Sequence, residues 1–246
     1  MIEITNVTKT FKTYKRFRKT EITAVKDFSA VIEEGIVTGL IGRNGAGKTT
    51  LIRLISTVLE PVQGSISIDG YDVKKNAIDV RKRIGVLFGG EAGLYGRLTA
   101  YENIEYFGLL NGLSKEECKE SIDSLVSRFG METYINRKVA DFSRGMKQKV
   151  LFARAVVHNP QIIILDEPST GLDIVGIQEV QKFIEDCQRN QKTIILSSHN
   201  MYEIENLATN ILIIDKGQKV YDGSIKDIRK EYSEETLTEF YERITS

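Results

Sequence analysis

The stretch GRNGAGKTT, residues 42–50, decides the fold of this chain. It fits the pattern G-x-x-x-x-G-K-[ST], in which glycines allow successive backbone amides to point at phosphate oxygens. The apolar residues 36–42 before it predict a buried strand. After it, one face of a predicted helix carries Leu51, Leu54, Ile55 and Val58. A phosphate-binding loop between a strand and a helix is typical of an α/β protein, and we predict that fold class here.

The loop predicts the residues that hold a nucleotide: Gly42, Arg43, Asn44, Gly45, Ala46, Gly47, Lys48, Thr49 and Thr50. Lys48 places a positive charge on the β and γ phosphates, and we count it among the catalytic residues. Thr49 offers a hydroxyl to Mg²⁺. The motif and its context therefore predict the core of a P-loop NTPase.

A second apolar strand, in IIILDEP (residues 162–168), ends in two adjacent carboxylates. Beside a phosphate loop, Asp166 is expected to hold Mg²⁺, and Glu167 to orient or deprotonate the attacking water. A salt-bridged rim is the alternative for such a pair. His199 ends the strand of TIILSSH, residues 193–199. We expect this histidine to be catalytic and to contact the γ phosphate or Glu167, although a lone histidine is usually structural.

The centre of the chain has a different pattern from its flanks. Residues 91–158 show helical periodicity and two capping boxes, without a convincing strand. We predict one domain, with a core of about residues 1–90 and 159–223 that has a mixed sheet and an N-terminal antiparallel β part. The helical subdomain is inserted into this core. A helical tail follows at about residues 224–246, and its apolar stripe is expected to pack on the core.

Composition and charge argue against some classes of partner. Lys plus Arg and Asp plus Glu both number 34, so the net charge is zero and nothing global favours nucleic acid. No apolar run approaches the roughly 20 residues of a membrane span, so we expect a cytosolic chain unless a partner holds it at a membrane. A basic segment runs from Lys9 to Lys19 without an acid. It is either a solvated loop between strands or a contact for anionic lipid or an acidic partner face.

Together these motifs resemble a known family. The order GRNGAGKTT, FSRGMKQK, IIILDEPSTGLD and SSH resembles the nucleotide-binding subunit of ATP-binding cassette (ABC) transporters, over essentially the whole chain. The resemblance implies that the nucleotide is ATP, with Mg²⁺. It also implies that two copies pair head to tail around two ATP molecules. In this family the pair drives a separate multi-span permease from the cytoplasmic face of the cell membrane.

The resemblance implies roles for residues outside the phosphate loop. The signature stretch, which in this family covers the γ phosphate bound by the second subunit, corresponds here to Ser143, Arg144, Gly145 and Met146. Asp173 matches the loop that crosses between the two halves. Phe11 matches the aromatic residue that stacks on adenine, with Tyr14 and Phe17 as rivals for that role.

The sequence departs from the family pattern in two places. The usual signature LSGGQ is replaced by FSRGM, which keeps the serine and the second glycine. The family normally has a glutamine near the position of Gly89, where it contacts Mg²⁺ and the attacking water. Here Gly89 and Gly90 are followed by Glu91, which either substitutes for the glutamine or leaves the metal shell to water.

The forms GMKQ and GVLFGGEAGLY resemble the ABC-2-type exporter branch, and most closely the NatA-type subunit of sodium-extruding exporters. The resemblance implies an ATPase that dimerises on ATP and powers Na⁺ efflux. A drug, a peptide, a lipid or a polysaccharide is the alternative cargo. A soluble ABC ATPase without a permease and a regulatory module that barely hydrolyses ATP are the rival functions. Residues 89–97 and the helix after them are expected to face the permease.

Overall fold

The fold is seen in a computed structural model. It describes residues 1–15, 18–89, 93–231 and 236–245. Phe17, a rival for the adenine contact, and Gly90 and Glu91, at the place of the missing glutamine, lie outside the described residues. The side chain of Tyr14 and several of those in the basic segment lie outside them as well.

The strands, numbered along the chain, are β1 (Ile2–Lys15), β2 (Arg18–Ile32), β3 (Val37–Ile41), β4 (Gln63–Ile68), β5 (Tyr71–Asp72), β6 (Ile84–Leu87), β7 (Ile162–Asp166), β8 (Thr193–Ser197), β9 (Asn210–Asp215) and β10 (Gln218–Ser224). The helices are α1 (Lys48–Ile55), α2 (Ala77–Arg83), α3 (Ala100–Leu110), α4 (Lys115–Phe129), α5 (Arg144–Val156), α6 (Ile174–Arg189), α7 (Met201–Leu207), α8 (Ile225–Glu231) and α9 (Leu237–Thr245).

The first sheet is antiparallel throughout, in the order β2–β1–β4–β5. This confirms the predicted N-terminal antiparallel part. Strands β1 and β2 stay paired to the position where Lys15 faces Arg18. The basic segment therefore lies mainly in strands, and its interpretation as a loop between strands is wrong. At its start, Lys9 Nζ donates a hydrogen bond to the carbonyl oxygen of Glu60 at 2.7 Å.

The second sheet has the order β10–β9–β3–β8–β7–β6. Its neighbours are parallel except for β9 and β10, which confirms the predicted mixed sheet. Every residue of β3, β7 and β8 is buried, as expected for central parallel strands covered on both faces. Because these strands run in the same direction, the residues that follow them meet at one edge of the sheet.

Helix α1 is shorter than the sequence predicts. Its residues Leu51, Leu54 and Ile55 are buried, but Val58 is 57% exposed. The helix ends at Ile55, and Thr57 then takes a positive φ of 62°, so Val58 leaves the buried face. The prediction that Val58 packs with the other three is therefore wrong.

The helical insert has a hydrophobic core of its own. Buried residues of α3, α4 and α5 form one cluster, which includes Ile104, Ile122 and Val150. Both predicted capping boxes are present, at Thr99 with Glu102 and at Ser114 with Glu117. Each box satisfies backbone amides that the first turn of a helix leaves without partners.

The C-terminal helix α9 covers the second sheet. Leu237, Phe240 and Tyr241 are buried in the same cluster as Ile211 and Ile213 of β9, which confirms the predicted packing of this stripe. Among the residues that the structure describes, no helix is both long enough and apolar enough to cross a membrane.

Candidate functional site

The phosphate loop joins β3 to α1, and its glycines let it pass close to other backbone segments. A Cβ atom at Gly42 would lie 2.4 Å from the carbonyl oxygen of Ile214, and one at Gly47 would lie 2.5 Å from that of Ala24. Gly47 also has a φ of +115°, which residues with a side chain rarely adopt. Glycine is therefore required at both positions by contact with backbone atoms.

Lys48 is the first residue of α1, and its side chain is buried above the loop. Its Nζ donates a hydrogen bond to the carbonyl oxygen of Gly42 at 2.5 Å and lies 3.4 Å from that of Arg43. A phosphate oxygen carries more negative charge than a carbonyl oxygen, and it forms a stronger, charge-assisted bond with an ammonium group. The position of Lys48 therefore suits an anion held in front of the loop.

A cavity of about 550 Å³, which we call the nucleotide cavity, opens in front of this loop. Seven of the nine predicted loop residues line it, while Gly42 and Ala46 do not. The opposite wall contains Asp166, Glu167 and His199, from the ends of β7 and β8. The fold therefore brings together the phosphate loop and the three polar residues that the sequence assigned to catalysis and to the metal. The volume lies within the usual range for a small-molecule site.

Asp166 and Thr49 form the oxygen pair expected to hold Mg²⁺. The hydroxyl of Thr49 donates to Asp166 Oδ2 at 3.1 Å, and that of Ser197 donates to Asp166 Oδ1 at 2.5 Å. These hard oxygen donors fit Mg²⁺, which binds few protein ligands and otherwise keeps water and substrate phosphates. Among the described residues no cluster of three or more His, Cys, Asp or Glu side chains is placed to hold an ion.

Glu167 has an unusual backbone and two side-chain contacts. Its φ is +52°, in the left-handed region that costs free energy for a residue with a side chain. Its Oε2 lies 2.5 Å from His199 Nδ1 and accepts from the hydroxyl of Thr170 at 3.1 Å. Its backbone N–H donates to the carbonyl oxygen of Ser197 at 3.0 Å. Of the two expected contacts of His199, the structure contains the one with Glu167.

The two adjacent carboxylates have different surroundings. Asp166 receives hydroxyl hydrogen bonds on both oxygens and is buried. The side chain of Glu167 is 22% exposed and faces the cavity beside His199, whose side chain is 66% exposed. This division fits a metal ligand and a base better than it fits a salt-bridged rim.

The signature residues lie at the start of α5. Ser143 is the N-cap, and its Oγ accepts from the backbone N–H of Met146 at 3.3 Å. Arg144 Nη2 donates to the carbonyl oxygen of Thr170 at 2.7 Å. Of the signature residues Ser143, Arg144, Gly145 and Met146, all within the described part of the chain, none lines the nucleotide cavity. Their predicted role, which is to contact ATP held by another copy, stays a prediction.

Asp173 and Phe11 are also placed away from this cavity. Asp173 is the N-cap of α6, and its Oδ1 accepts from the N–H of Gly176 at 2.8 Å. Phe11 is paired with Ile22 in the β1–β2 hairpin, and strand β2 reaches the cavity through Ala24. Neither Asp173 nor Phe11 is among the described residues of the lining, so the crossing loop and the adenine contact stay predictions.

Gly89 lines the cavity beside the carboxylates of Asp166 and Glu167. A Cβ atom there would lie 3.0 Å from the carbonyl oxygen of Asp166 and 3.5 Å from the Cβ of Glu167. A glutamine at this position would therefore press against the turn that carries Glu167. Glycine at position 89, in place of the glutamine usual in the family, allows the backbone at Gly89 to lie close to the backbone of Asp166.

The sequence analysis missed the hydroxyl groups that hold the carboxylates, Ser197 and Thr170. Ser197 bonds to Asp166 Oδ1 and also accepts from the N–H of Glu167 at 3.2 Å. The signal that could have found it is the position of SSH at the carboxyl end of a buried strand, next to the strand of Asp166. Thr170 carries no comparable signal, because its contact depends on the turn after Glu167.

Comparison with known proteins agrees with this site. The family model for the ABC transporter matches residues 25–170, more than half of the chain. The chain is 47% identical over 237 residues to the ABC transporter ATP-binding protein NatA of Bacillus subtilis (strain 168), with 96% of this chain and 95% of that protein covered.

Solved structures share the whole fold. An ATP binding subunit of an ABC transporter superposes with a TM-score of 0.86 at 29% identity, covering 100% of this chain and 99% of the other. The ATP-binding cassette MJ0796, solved as a dimer in a post-hydrolysis state bound to ADP and Pi, gives a TM-score of 0.81 at 26% identity, with 92% and 99% covered. With its phosphate loop, paired carboxylates and histidine on this fold, the chain belongs to the ABC transporter family as an ATP-binding subunit that hydrolyses ATP.

Proposed function

We propose that this ATPase powers a separate membrane permease from the cytoplasmic face of the cell membrane, and that the complex exports Na⁺. The observation that carries the proposal is a second cavity, of about 880 Å³, between the core and the helical insert. It shares Arg53, Phe88 and Gly89 with the nucleotide cavity. A partner segment bound there would contact the same residues that adjoin the nucleotide.

The second cavity, which we call the insert groove, is lined by exposed apolar side chains. Ile78 of α2 is 69% exposed, Leu110 of α3 is 63% exposed, and Val58, just after α1, is 57% exposed. Exposed apolar residues that line a groove together are typical of a protein interface. The loop at residues 93–95 lines the groove as well, and this supports the proposal that residues 89–97 face the permease.

The charged side chains of the insert groove are basic. Arg53, Arg81, Lys82 and Arg154 line it, and no acid is found among its described lining residues. Burial lowers the pKa of Arg154 to about 10, so its guanidinium remains charged at neutral pH. It lies 4.3 Å from the centre of the Phe107 ring. The segment that fits this groove is therefore one with apolar side chains and at least one carboxylate.

The second copy of the chain is the other proposed partner. MJ0796, which shares this fold, has been solved as a dimer. In this chain the capped start of α5 presents backbone amides and a helix dipole, which together favour an anion. Gln148 of α5 also donates to the carbonyl oxygen of Pro168 at 2.8 Å, next to Glu167. ATP held by a second copy would place its γ phosphate against Ser143 of this chain. The helix that begins there also contacts the turn that carries Glu167 of this chain.

In the proposed reaction, Lys48 and the loop amides bind the β and γ phosphates of ATP. Thr49 and Asp166 would hold Mg²⁺, which neutralises phosphate charge when it is bound. Glu167 orients the attacking water and accepts a proton from it. His199 contacts Glu167 through Nδ1, so its other ring nitrogen can face the γ phosphate. Closure of the dimer on ATP and opening after hydrolysis would move the helical insert and, with it, the permease.

The basic segment remains a proposed contact for anionic lipid. A chain held at a membrane by its permease would lie close to the cytoplasmic leaflet, whose phospholipid headgroups are negatively charged. Lys12, within the described residues, is exposed on β1 and suits such a contact.

Ile78→Glu and Leu110→Glu should separate the ATPase from its permease. A glutamate in the groove would repel an acidic partner segment and remove apolar contact area, so we expect at least about a tenfold loss of bound permease. The measurement is a pull-down of the tagged chain from membranes in mild detergent, with the co-purifying chain identified and quantified. Val31→Glu, at a 55% exposed position on β2, is the matched control.

The ATPase rate of each groove variant, measured without the permease, should equal that of the parent chain. If both variants still bring down the parent amount of permease, the groove is not the docking site. If the parent chain brings down no multi-span protein, the soluble ABC ATPase becomes the better function.

Sodium transport is tested in inside-out vesicles that contain the chain and its co-purified permease. We expect ATP added outside to drive ²²Na⁺ into the vesicles, because the similarity to NatA is the support for this cargo. The control is the same vesicles with Glu167→Gln, which should take up no ²²Na⁺. ATP-dependent uptake of a drug, peptide, lipid or polysaccharide, without sodium, would replace Na⁺ as the cargo and leave the permease assignment intact.

A further inference from the structure

Glu203 is a buried carboxylate close to the catalytic residues that the reaction described above does not use. It belongs to α7 and is 2% exposed. Its Oε2 accepts from the hydroxyl of Ser198 at 2.6 Å, and its Oε1 accepts from the hydroxyl of Ser169. Among the described residues, no lysine or arginine forms an ion pair with it.

The two serines belong to different catalytic loops. Ser198 directly precedes His199, and Ser169 follows Glu167 by two residues. Ser198 Oγ also accepts from the backbone N–H of Asn200 at 3.0 Å, so the hydroxyl lies inside the turn that carries the histidine. Glu203 is therefore bonded to both of the loops that bring His199 to within 2.5 Å of Glu167.

A buried carboxylate without a cation costs free energy unless hydrogen bonds compensate for the lost water. Hydroxyl donors at short distance form the strong, charge-assisted kind of bond. An apolar side chain could fill the same volume but could not tie the two loops to each other. The free-energy cost of burying Glu203 is thus explained by the connection that it makes between the two loops.

We propose that Glu203 is a positioning residue for ATP hydrolysis. It holds Ser198 and Ser169 so that the imidazole of His199 and the carboxylate of Glu167 keep their contact while the nucleotide enters and leaves. It touches neither of these two side chains and acts through the loops that carry them. This inference concerns the hydrolytic step and does not depend on the permease or on the cargo.

The test is steady-state ATP hydrolysis by the purified full chain. For Glu203→Ala we expect a fall in kcat of about tenfold, since hydrogen bonds to a charged group are lost. ATP affinity should stay within about twofold, because the phosphate loop is untouched. Glu203→Gln should stay within about threefold of the parent, since its amide can accept from one serine and donate to the other. Glu205→Ala on the same helix, where Glu205 pairs with Arg229 at the surface, is the control.

A double-mutant cycle distinguishes positioning from general stability. If Glu203 acts through His199, adding Glu203→Ala to His199→Ala should slow the residual rate by no more than about twofold. A further tenfold loss in that background, or an unchanged kcat in Glu203→Ala alone, overturns the proposal. Should Glu203→Ala not fold, Ser169→Ala removes one tie and leaves α7 intact. Its loss of kcat should likewise disappear in the His199→Ala background, and persistence of that loss overturns the proposal.

Discussion

Glu167→Gln is expected to bind ATP like the parent chain and to hydrolyse it at least about 100-fold more slowly, as is usual when a general base is removed. Glutamine has nearly the same shape, and its amide oxygen can still accept from Thr170. It cannot take a proton from water. Hydrolysis is measured as phosphate release in the presence of Mg²⁺, and binding is measured by titration with a fluorescent ATP analogue.

The same variant should accumulate a dimer with trapped ATP, which is seen as an earlier peak on size-exclusion chromatography with ATP and Mg²⁺. Glu185→Gln makes the same chemical change at an exposed position of α6 and should behave like the parent. If Glu167→Gln turns over at the parent rate, Glu167 is not the base. The site would then have to activate water through another group.

Lys48→Met should weaken ATP binding by one to two orders of magnitude, roughly 10–100-fold. Lys48 is buried and already directed at the oxygens of its own loop, so no other conformation is needed to receive the phosphates. A hydrogen bond to a charged group contributes about 1.5–3 kcal/mol, which corresponds to roughly 10–100-fold in affinity. Methionine keeps the length and apolar stem of the side chain, so the loss should report the missing charge. The measurement is the same nucleotide titration.

Lys182→Met, at an exposed position of α6, controls for a change of net charge. The melting temperature of Lys48→Met without nucleotide should be close to that of the parent. Protection against melting by added ATP should be lost. If Lys48→Met binds ATP within twofold of the parent, the ammonium does not contact the phosphates in the way proposed here.

The fold and the centre of the site could be predicted because their signals are local. Residues 42–50 carry a pattern whose glycines, lysine and threonine each have a fixed task, and the runs before Asp166 and His199 are short and apolar. Parallel strands of that kind must end at one edge of a sheet, so the three polar residues were expected to meet. The structure places all of them in one cavity.

Other features depended on contacts that no local pattern encodes. The exposure of Val58 follows from a positive φ at Thr57, which ends α1 early. The basic segment lies mostly in strands because β1 and β2 stay paired up to Lys15 and Arg18. No hydrophobic alternation in these residues indicates that pairing. Glu203 looks like an ordinary polar residue of a helix until α7 brings it under two serines.

The overlap of the two cavities has a thermodynamic consequence. Arg53, Phe88 and Gly89 line both the nucleotide cavity and the insert groove. ATP and a permease segment docked in the groove would therefore contact the same side chains, and their binding would be linked by one coupling free energy. Whatever factor a docked permease segment applies to the affinity for ATP, ATP must apply the same factor to the affinity for that segment. Linkage of this kind makes the energy of nucleotide binding available to the partner before any phosphate bond is broken.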